Sequence, residues 1–356
     1  MENPYQQHAR MLASSGLHRP MGGRGYLSAR RRPCLRRPAV VALLKRIRIV
    51  FIVSGEALMD VFVGASTPTG VGMDARIGGS PLNVAIGLAR LGQPVAFLGG
   101  VSKGQLGERL LEAMRAENVG LDCVELLAAP TTLSLIGLDA QGVPDYAFYG
   151  EGAADRCLSL GALDKVPAGA SVFQFGSYAM VIPGTGDTQR ALVEREHTRS
   201  LISYDPNVRL NVEPDKAVWR ATLDWMLPRT HLLKISDEDL HLLYPGASME
   251  ALAKEWLQKG PSLVVITRGG EGSLVWTANT HFAMPGRSIT LVDTVGAGDT
   301  FTAAMLTRLA EKGLATPAGL TSLTEPDLRE VIDFATRAAA ITCSRRGADL
   351  PRRAEV

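Results

Sequence analysis

Asp293-Thr294-Val295-Gly296-Ala297-Gly298-Asp299-Thr300-Phe301 sets two glycines around one small residue and places an acid directly behind them. Without Cβ atoms at Gly296 and Gly298 the backbone turns tightly and approaches a ligand closely. Downstream, Phe301, Met305 and Leu309 recur four residues apart, as on one buried face of a helix. Upstream, Ser288-Ile289-Thr290-Leu291-Val292 is β-prone. The predicted order is therefore strand, glycine turn, helix. The turn then lies at the positive end of the helix, where unpaired N–H groups form a site for phosphate. Asp299 sits there too, and the helix dipole favours its ionised form. Taken alone, the same residues also suit a plain tight turn with Asp299 as a cap.

Toward the N-terminus, Ile77-Gly78-Gly79-Ser80-Pro81-Leu82-Asn83 opens a second helix. Ser80 is a good N-cap and Pro81 suits the first helical position. Val84, Leu88 and Leu91 share a face, and Gly92 with Pro94 ends the helix. Capping and packing account for Gly78 but not for Asn83, a polar residue one turn in. Before it, Ile49–Val53 is the continuous apolar run expected of a strand buried on both faces. It feeds Gly55-Glu56-Ala57-Leu58-Met59-Asp60, and strand-end loops of α/β sheets are where ligands bind. Asp60 alone also suits a solvated loop.

Strand and helix patterns alternate through Val95–Ser102, Gly104–Met114 (Leu106, Leu110 and Met114 as its face), Val172–Ser177, Leu201–Arg209, His231–Leu240 and Ser262–Ser273. That alternation argues for a parallel sheet covered on both sides. Thr132–Leu138 and Pro144–Tyr149 around Asp139-Ala140-Gln141-Gly142 read as a hairpin. No Gly-x4-Gly-Lys-Ser/Thr pattern occurs, which excludes a P-loop kinase. The Asp205-x-Asn207-x-Arg209 cluster suits ligand or phosphate contact at a strand end, with an Asp205–Arg209 salt bridge as the rival reading.

The two glycine stretches, in this order and more than two hundred residues apart, closely resemble the two signatures of the PfkB (ribokinase-like) sugar kinases. The resemblance runs from about Arg48 to about Pro351. It implies an α/β, ribokinase-like three-layer sandwich: a central, mostly parallel sheet covered by helices, plus a small β lid built from segments at about 60–78 and 131–150. It also implies ATP-dependent transfer of a phosphoryl group to a sugar hydroxyl. Asp299 is then the base, and the backbone of Gly296, Ala297 and Gly298 the anion hole. Asp60, Gly79 and Asn83 grip sugar hydroxyls, and Arg209 is a further substrate or phosphate contact. Ser236 and Asp239 stand at the two positions of the family's Asn-x-x-Glu region, which organises phosphates and magnesium. Ser236 is therefore expected at the nucleotide and Asp239 at the metal. Thr267, Gly269 and Gly272 match the nucleotide-phosphate loop. ATP and Mg²⁺ are the expected cofactors, K⁺ a frequent activator, and a homodimer through the lid a frequent assembly.

The opening Gly55–Asp60, the run Phe148-Tyr149-Gly150 with Ala153-Ala154-Asp155, and Asp205-Pro206-Asn207 look most like bacterial fructokinases. Relatives acting on keto-deoxy acids place an arginine where this chain has Gly150, which favours a neutral sugar. 2-Keto-3-deoxygluconate or ribose kinase is the alternative within the class. A sugar sensor without catalysis, on the same fold, is the alternative outside it, although such a protein should have lost the base or the glycines.

At 356 residues, with 46% hydrophobic and 21% charged residues, the chain has globular composition. No uninterrupted apolar run approaches the roughly 18 residues that span a bilayer. Four cysteines without paired metal spacing fit a reducing cytosol. The net charge of +2 hides an asymmetry: residues 1–48 hold ten arginines and Lys45 against Glu2 alone. High positive charge without periodicity argues for a disordered extension over 1–47, ahead of a kinase domain at 48–356. The extension's composition also suits nucleic acid or a transit peptide, and a start placed too far upstream gives the same pattern. No membrane or nucleic-acid partner is expected of the folded part.

Overall fold

The apolar run expected as a doubly buried strand forms β1 (Val50–Ser54). Its side chains alternate between two cores: Phe51 and Val53 pack into one and Ile52 into the other, all without solvent exposure. The computed structural model describes residues 50–138 and 144–356. The basic extension expected over 1–47 and the hairpin turn Asp139–Gly142 lie outside the described residues.

After β1 come β2 (Leu58–Thr67), β3 (Gly70–Gly78) and α1 (Ser80–Arg90). Then follow β4 (Val95–Leu98), β5 (Gly100–Ser102), α2 (Gln105–Ala116) and β6 (Glu125–Leu127). β7 (Leu133–Leu138) and β8 (Pro144–Tyr149) form the expected hairpin. Three strand–helix units succeed it: β9 (Ala170–Gly176) with α3 (Thr185–Glu196), β10 (Leu201–Asp205) with α4 (Lys216–Met226), and β11 (Leu232–Ser236) with α5 (Asp237–Leu243). α6 (Met249–Lys259) leads to β12 (Leu263–Thr267), β13 (Ser273–Trp276) and β14 (His281–Met284). The chain closes with α7 (Ala297–Glu311), α8 (Pro317–Thr321) and α9 (Glu325–Cys343).

The main sheet has eight strands in the order β14-β13-β12-β11-β10-β9-β1-β4, parallel from β12 to β4 and antiparallel at β13 and β14. Side chains of α1, α2, α7, α8 and α9 share one core, and those of α3 to α6 share the other. This is the expected three-layer sandwich. A second sheet, β3-β2-β7-β8, joins β2 to β7 in parallel and is otherwise antiparallel, so the two expected lid segments do pair. Val63, Val71 and Met73 lie exposed on it.

Three local expectations are corrected. Ser288–Val292 forms no strand. A β-prone segment needs a ladder partner, and here the backbone N–H groups of Val292 and Asp293 instead share the Cys343 carbonyl at the end of α9. α1 is capped by Gly79 rather than Ser80, so Ser80 is its first residue and Pro81 its second. Gly79 has φ +109°, and a methyl group there would lie 2.6 Å from the Glu56 carbonyl oxygen, so only glycine fits. Finally, Leu106 is exposed in the first turn of α2, whose buried face is Gly107, Leu110, Leu111 and Met114.

Candidate active site

α7 is buried on nearly all sides, so its N-terminus is a fixed object. Gly296, its cap, is left-handed at φ +77°, and a methyl group there would lie 2.7 Å from the Ala348 Cβ. Ala297 and Gly298 form the start of the first turn and Asp299 follows. Ala297 N–H already donates to the Thr294 carbonyl at 3.2 Å, a long bond.

Asp299 is where the two sequence signatures meet. Ser80 Oγ donates to its Oδ1 at 2.6 Å, and Asn83 Nδ2 donates to its Oδ2 at 2.9 Å. Ser80 thus reaches a partner 219 residues away instead of capping its own helix. Burial pushes the Asp299 pKa up, against the dipole expectation, while Ser80, Asn83 and the nearby Lys234 ammonium pull it back. The outcome is a desolvated carboxylate with both oxygens aimed by hydrogen bonds.

Asp60 lies on β2 beside Gly78, where an added methyl group would overlap its carboxylate. It is half-buried; burial raises its pKa, Ser134 and Arg209 oppose the rise, and the charge of Asp299 adds to it. Arg209 is exposed and donates to the Val208 carbonyl at 2.9 Å. Its charge acts on Glu56, Asp60 and Asp239. The rival Asp205–Arg209 bridge does not form, because Asp205 takes Lys234 instead, at 2.8 Å.

On the other side, Ser236 and Thr267 end neighbouring strands in direct register. Gly269 (φ +49°) begins a single turn and Gly272 (φ +90°) ends it, with Arg268 N–H donating to the Gly272 carbonyl at 2.7 Å. Ser236 Oγ accepts from Asp239 N–H at 3.0 Å and so caps α5. Asp239 Oδ1 accepts from Val208 N–H at 3.1 Å, pinning the loop that carries Arg209. Burial, and then Asp205, push the Asp239 pKa up to about 6. Among the described residues no three His, Cys, Asp or Glu side chains converge as a metal cage. Asp239 thus pins that loop with one oxygen committed.

Sequence reasoning gave no role to Lys234 or to the buried acids Glu56 and Asp155. Asp155 accepts from the Thr132 hydroxyl at 2.5 Å and from the Tyr178 hydroxyl at 2.7 Å, just where β7 leaves the body. Lys234 did carry a signal: one charge inside an otherwise apolar strand requires a buried partner.

A parallel α/β sheet, a β lid and a buried carboxylate at a glycine-opened helix N-terminus define a ribokinase-like phosphotransferase. Solved structures agree on the fold. The chain matches a fructokinase from Xylella fastidiosa with bound ATP at a TM-score of 0.78 and 23% identity, over 86% of this chain and 97% of that one. It matches a fructokinase from Vibrio cholerae O395 in fructose, ADP and calcium ion bound form at a TM-score of 0.71 and 23% identity, over 85% and 95%. In sequence it is 37% identical over 299 residues to a fructokinase of Rhizobium leguminosarum bv. trifolii, which covers 84% of this chain and 90% of that protein. Residues 53–354 match the family described as pfkB family carbohydrate kinase. The chain belongs to that family, and it is accordingly a phosphotransferase with a sugar hydroxyl as acceptor.

Proposed function

We propose that the chain transfers the γ-phosphoryl group of MgATP to the primary hydroxyl of D-fructose, giving fructose 6-phosphate. The observation that carries this is the closure of Ser80 and Asn83 on Asp299 at the N-terminus of α7. Asp60, Gly79 and the amide oxygen of Asn83 orient the sugar. Asp299 receives the proton of the attacking hydroxyl as transfer proceeds. The N–H groups of Gly296, Ala297 and Gly298 stabilise charge on the phosphoryl oxygens, Ala297 giving up its long bond to Thr294. Arg209, exposed on the loop that Asp239 pins, pairs with phosphate. Thr267, Gly269 and Gly272 line the nucleotide phosphates and Ser236 flanks them. Mg²⁺ arrives with ATP, held by phosphate oxygens and water. Phosphoryl transfer needs alignment and charge neutralisation more than covalent help, and these parts supply both.

Fructose is favoured by the fructokinase relatives and by position 150. A methyl group at Gly150 would lie 2.9 Å from Thr132 Oγ1 and 2.8 Å from Arg156 Nη2, so the position is crowded for the arginine of acid-sugar relatives. The same proposal places catalysis in residues 48–356 and in the cytoplasm, in line with the free thiols Cys123, Cys157 and Cys343. It takes the exposed lid face around Val71 and Met73 as the contact of a homodimer. Among the described residues no helix is long and apolar enough to cross a membrane.

The test is an ADP-release assay with MgATP in K⁺ and in Na⁺ buffer, offering fructose, ribose, 2-keto-3-deoxygluconate and adenosine, with Asp299→Asn as control. Fructose turnover lost by about 10²–10⁴ in the variant supports the proposal. Preference for another sugar replaces the substrate. Sugar binding without turnover makes the protein a sensor and refutes the proposal.

A further inference from the structure

β11 is an interior strand of the main sheet, and one of its five residues is a lysine. An ammonium in such a place is costly unless it is paired. Lys234 Nζ donates to Asp205 Oδ2 on the neighbouring β10 at 2.8 Å, and the two side chains are only 5% and 7% exposed. The pair leaves capacity on both sides. Asp205 Oδ1 is buried without a hydrogen-bond partner, and an ammonium has two more N–H donors than the bond to Asp205 uses. The ammonium also does not stop inside the sheet layer. A methyl group added at Gly298 would lie 3.0 Å from Nζ, with no other atom from outside its own helix turn within 4 Å. The charge thus ends directly against the first turn of α7, where Asp239 and Asp299 face it as well as Asp205.

We propose that Lys234 is a further catalytic residue: its ammonium, aimed by Asp205, contacts the transferring phosphoryl group beside Gly298 and neutralises the charge that group develops. On the phosphoryl-transfer reading above, this completes an otherwise weak anion hole. Backbone N–H groups at a helix N-terminus offer roughly half an elementary charge, whereas a desolvated ammonium offers a whole one in a medium where it counts for more. Burial alone lowers the Lys234 pKa, but Asp205, Asp239 and Asp299 overcome it and raise the pKa, so the group stays charged at neutral pH. Gly298 acquires a second reason to be glycine, since any side chain pushes the ammonium away.

A buried ion pair also serves as a strut, and the experiment separates the two. Lys234→Met and the double variant Asp205→Asn/Lys234→Met are compared with wild type; the second removes both members of the ion pair, so Asp205 is not left as an unpaired charge, and its melting reports whether the fold is kept. Thermal melting, fructose affinity by calorimetry, kcat, and binding of MgADP with and without aluminium fluoride are measured. The expected result is a loss of kcat of about 10²–10³, the scale of removing one preorganised charge donor. It appears in both variants, with fructose affinity within threefold and with MgADP–aluminium fluoride weakened at least tenfold more than MgADP. The acid limb of the rate profile moves to higher pH, because Asp299 has lost a stabilising cation. A double variant that melts like wild type and keeps kcat within threefold makes the pair a strut and overturns the inference. If wild type itself turns over no sugar, the proposed function fails first and takes the inference with it.

Discussion

Replacing Ser80 by alanine tests the base directly, because it removes one of the two hydrogen bonds on Asp299 without touching the carboxylate. The bond, 2.6 Å from hydroxyl to Oδ1, favours the ionised form. A hydrogen bond to a charged group contributes about 1.5–3 kcal/mol, or about ten- to a hundredfold in an equilibrium. Its loss therefore raises the Asp299 pKa. A base with a raised pKa is protonated over a wider range, so the deficit is greatest in acid. Below both pKa values kcat/KM falls about ten- to a hundredfold, and above both the variant approaches wild type. The assay is kcat/KM for fructose from pH 5 to 9, which reports the free enzyme's essential groups. A uniform loss at every pH, or an unmoved acid limb, refutes Asp299 as the group that Ser80 tunes.

Other outcomes follow from the same geometry. Gly296→Ala forces a left-handed residue against Ala348 and should cost about 1–3 kcal/mol, seen as a lowered Tm together with lost turnover; an unchanged Tm contradicts the fit. Burial lifts the Glu56 pKa from 4.5 to about 8, so folding favours its protonated form, and that stability is lost as pH rises through about 8. Tm should fall between pH 5 and 8 by the equivalent of up to about 4 kcal/mol, and Glu56→Gln should flatten the fall. Asp155→Ala strands the Thr132 and Tyr178 hydroxyls and should cost about 2–5 kcal/mol, with faster hydrogen exchange in β7 and β8; equal exchange would show that the acid does not anchor the lid. Deleting residues 1–46 should leave kcat and KM for fructose within twofold, and a larger change would give the extension a part in catalysis.

Much of this molecule was legible from the sequence because local rules and the fold agree. The apolar run at 49–53 could only be a strand with two buried faces, and the Phe301, Met305, Leu309 spacing could only be a packed helix. The glycine turn was legible where sterics leave one choice, as at Gly296, whereas the tight fit at Gly79 was hidden behind the expectation of Ser80 as the cap. The misreadings have a common cause: the competing partner was far away in the chain. Ser80 satisfies every rule for a cap, yet a buried carboxylate makes a stronger claim on its hydroxyl. Ser288–Val292 has strand propensity but no neighbour to pair with. Asp205 and Arg209 are near in sequence, but the lysine one strand over, itself buried and in need of a charge, wins Asp205. Leu106 follows the helical period, yet it falls in the first turn, beyond the reach of the core.

Ser80 and Asn83 wait for an acceptor that is synthesised 219 residues later than Ser80. At translation rates of about 5–20 residues per second the delay is roughly 10–45 s. During that time a nascent chain holds the sugar-side signature without the base, and no N-terminal fragment that ends before Asp299 contains both. The capacity to consume ATP therefore appears only when α7 docks between α1 and α9, among the last steps of folding. A product that stalls or is truncated ahead of Asp299 lacks the base and is born inert.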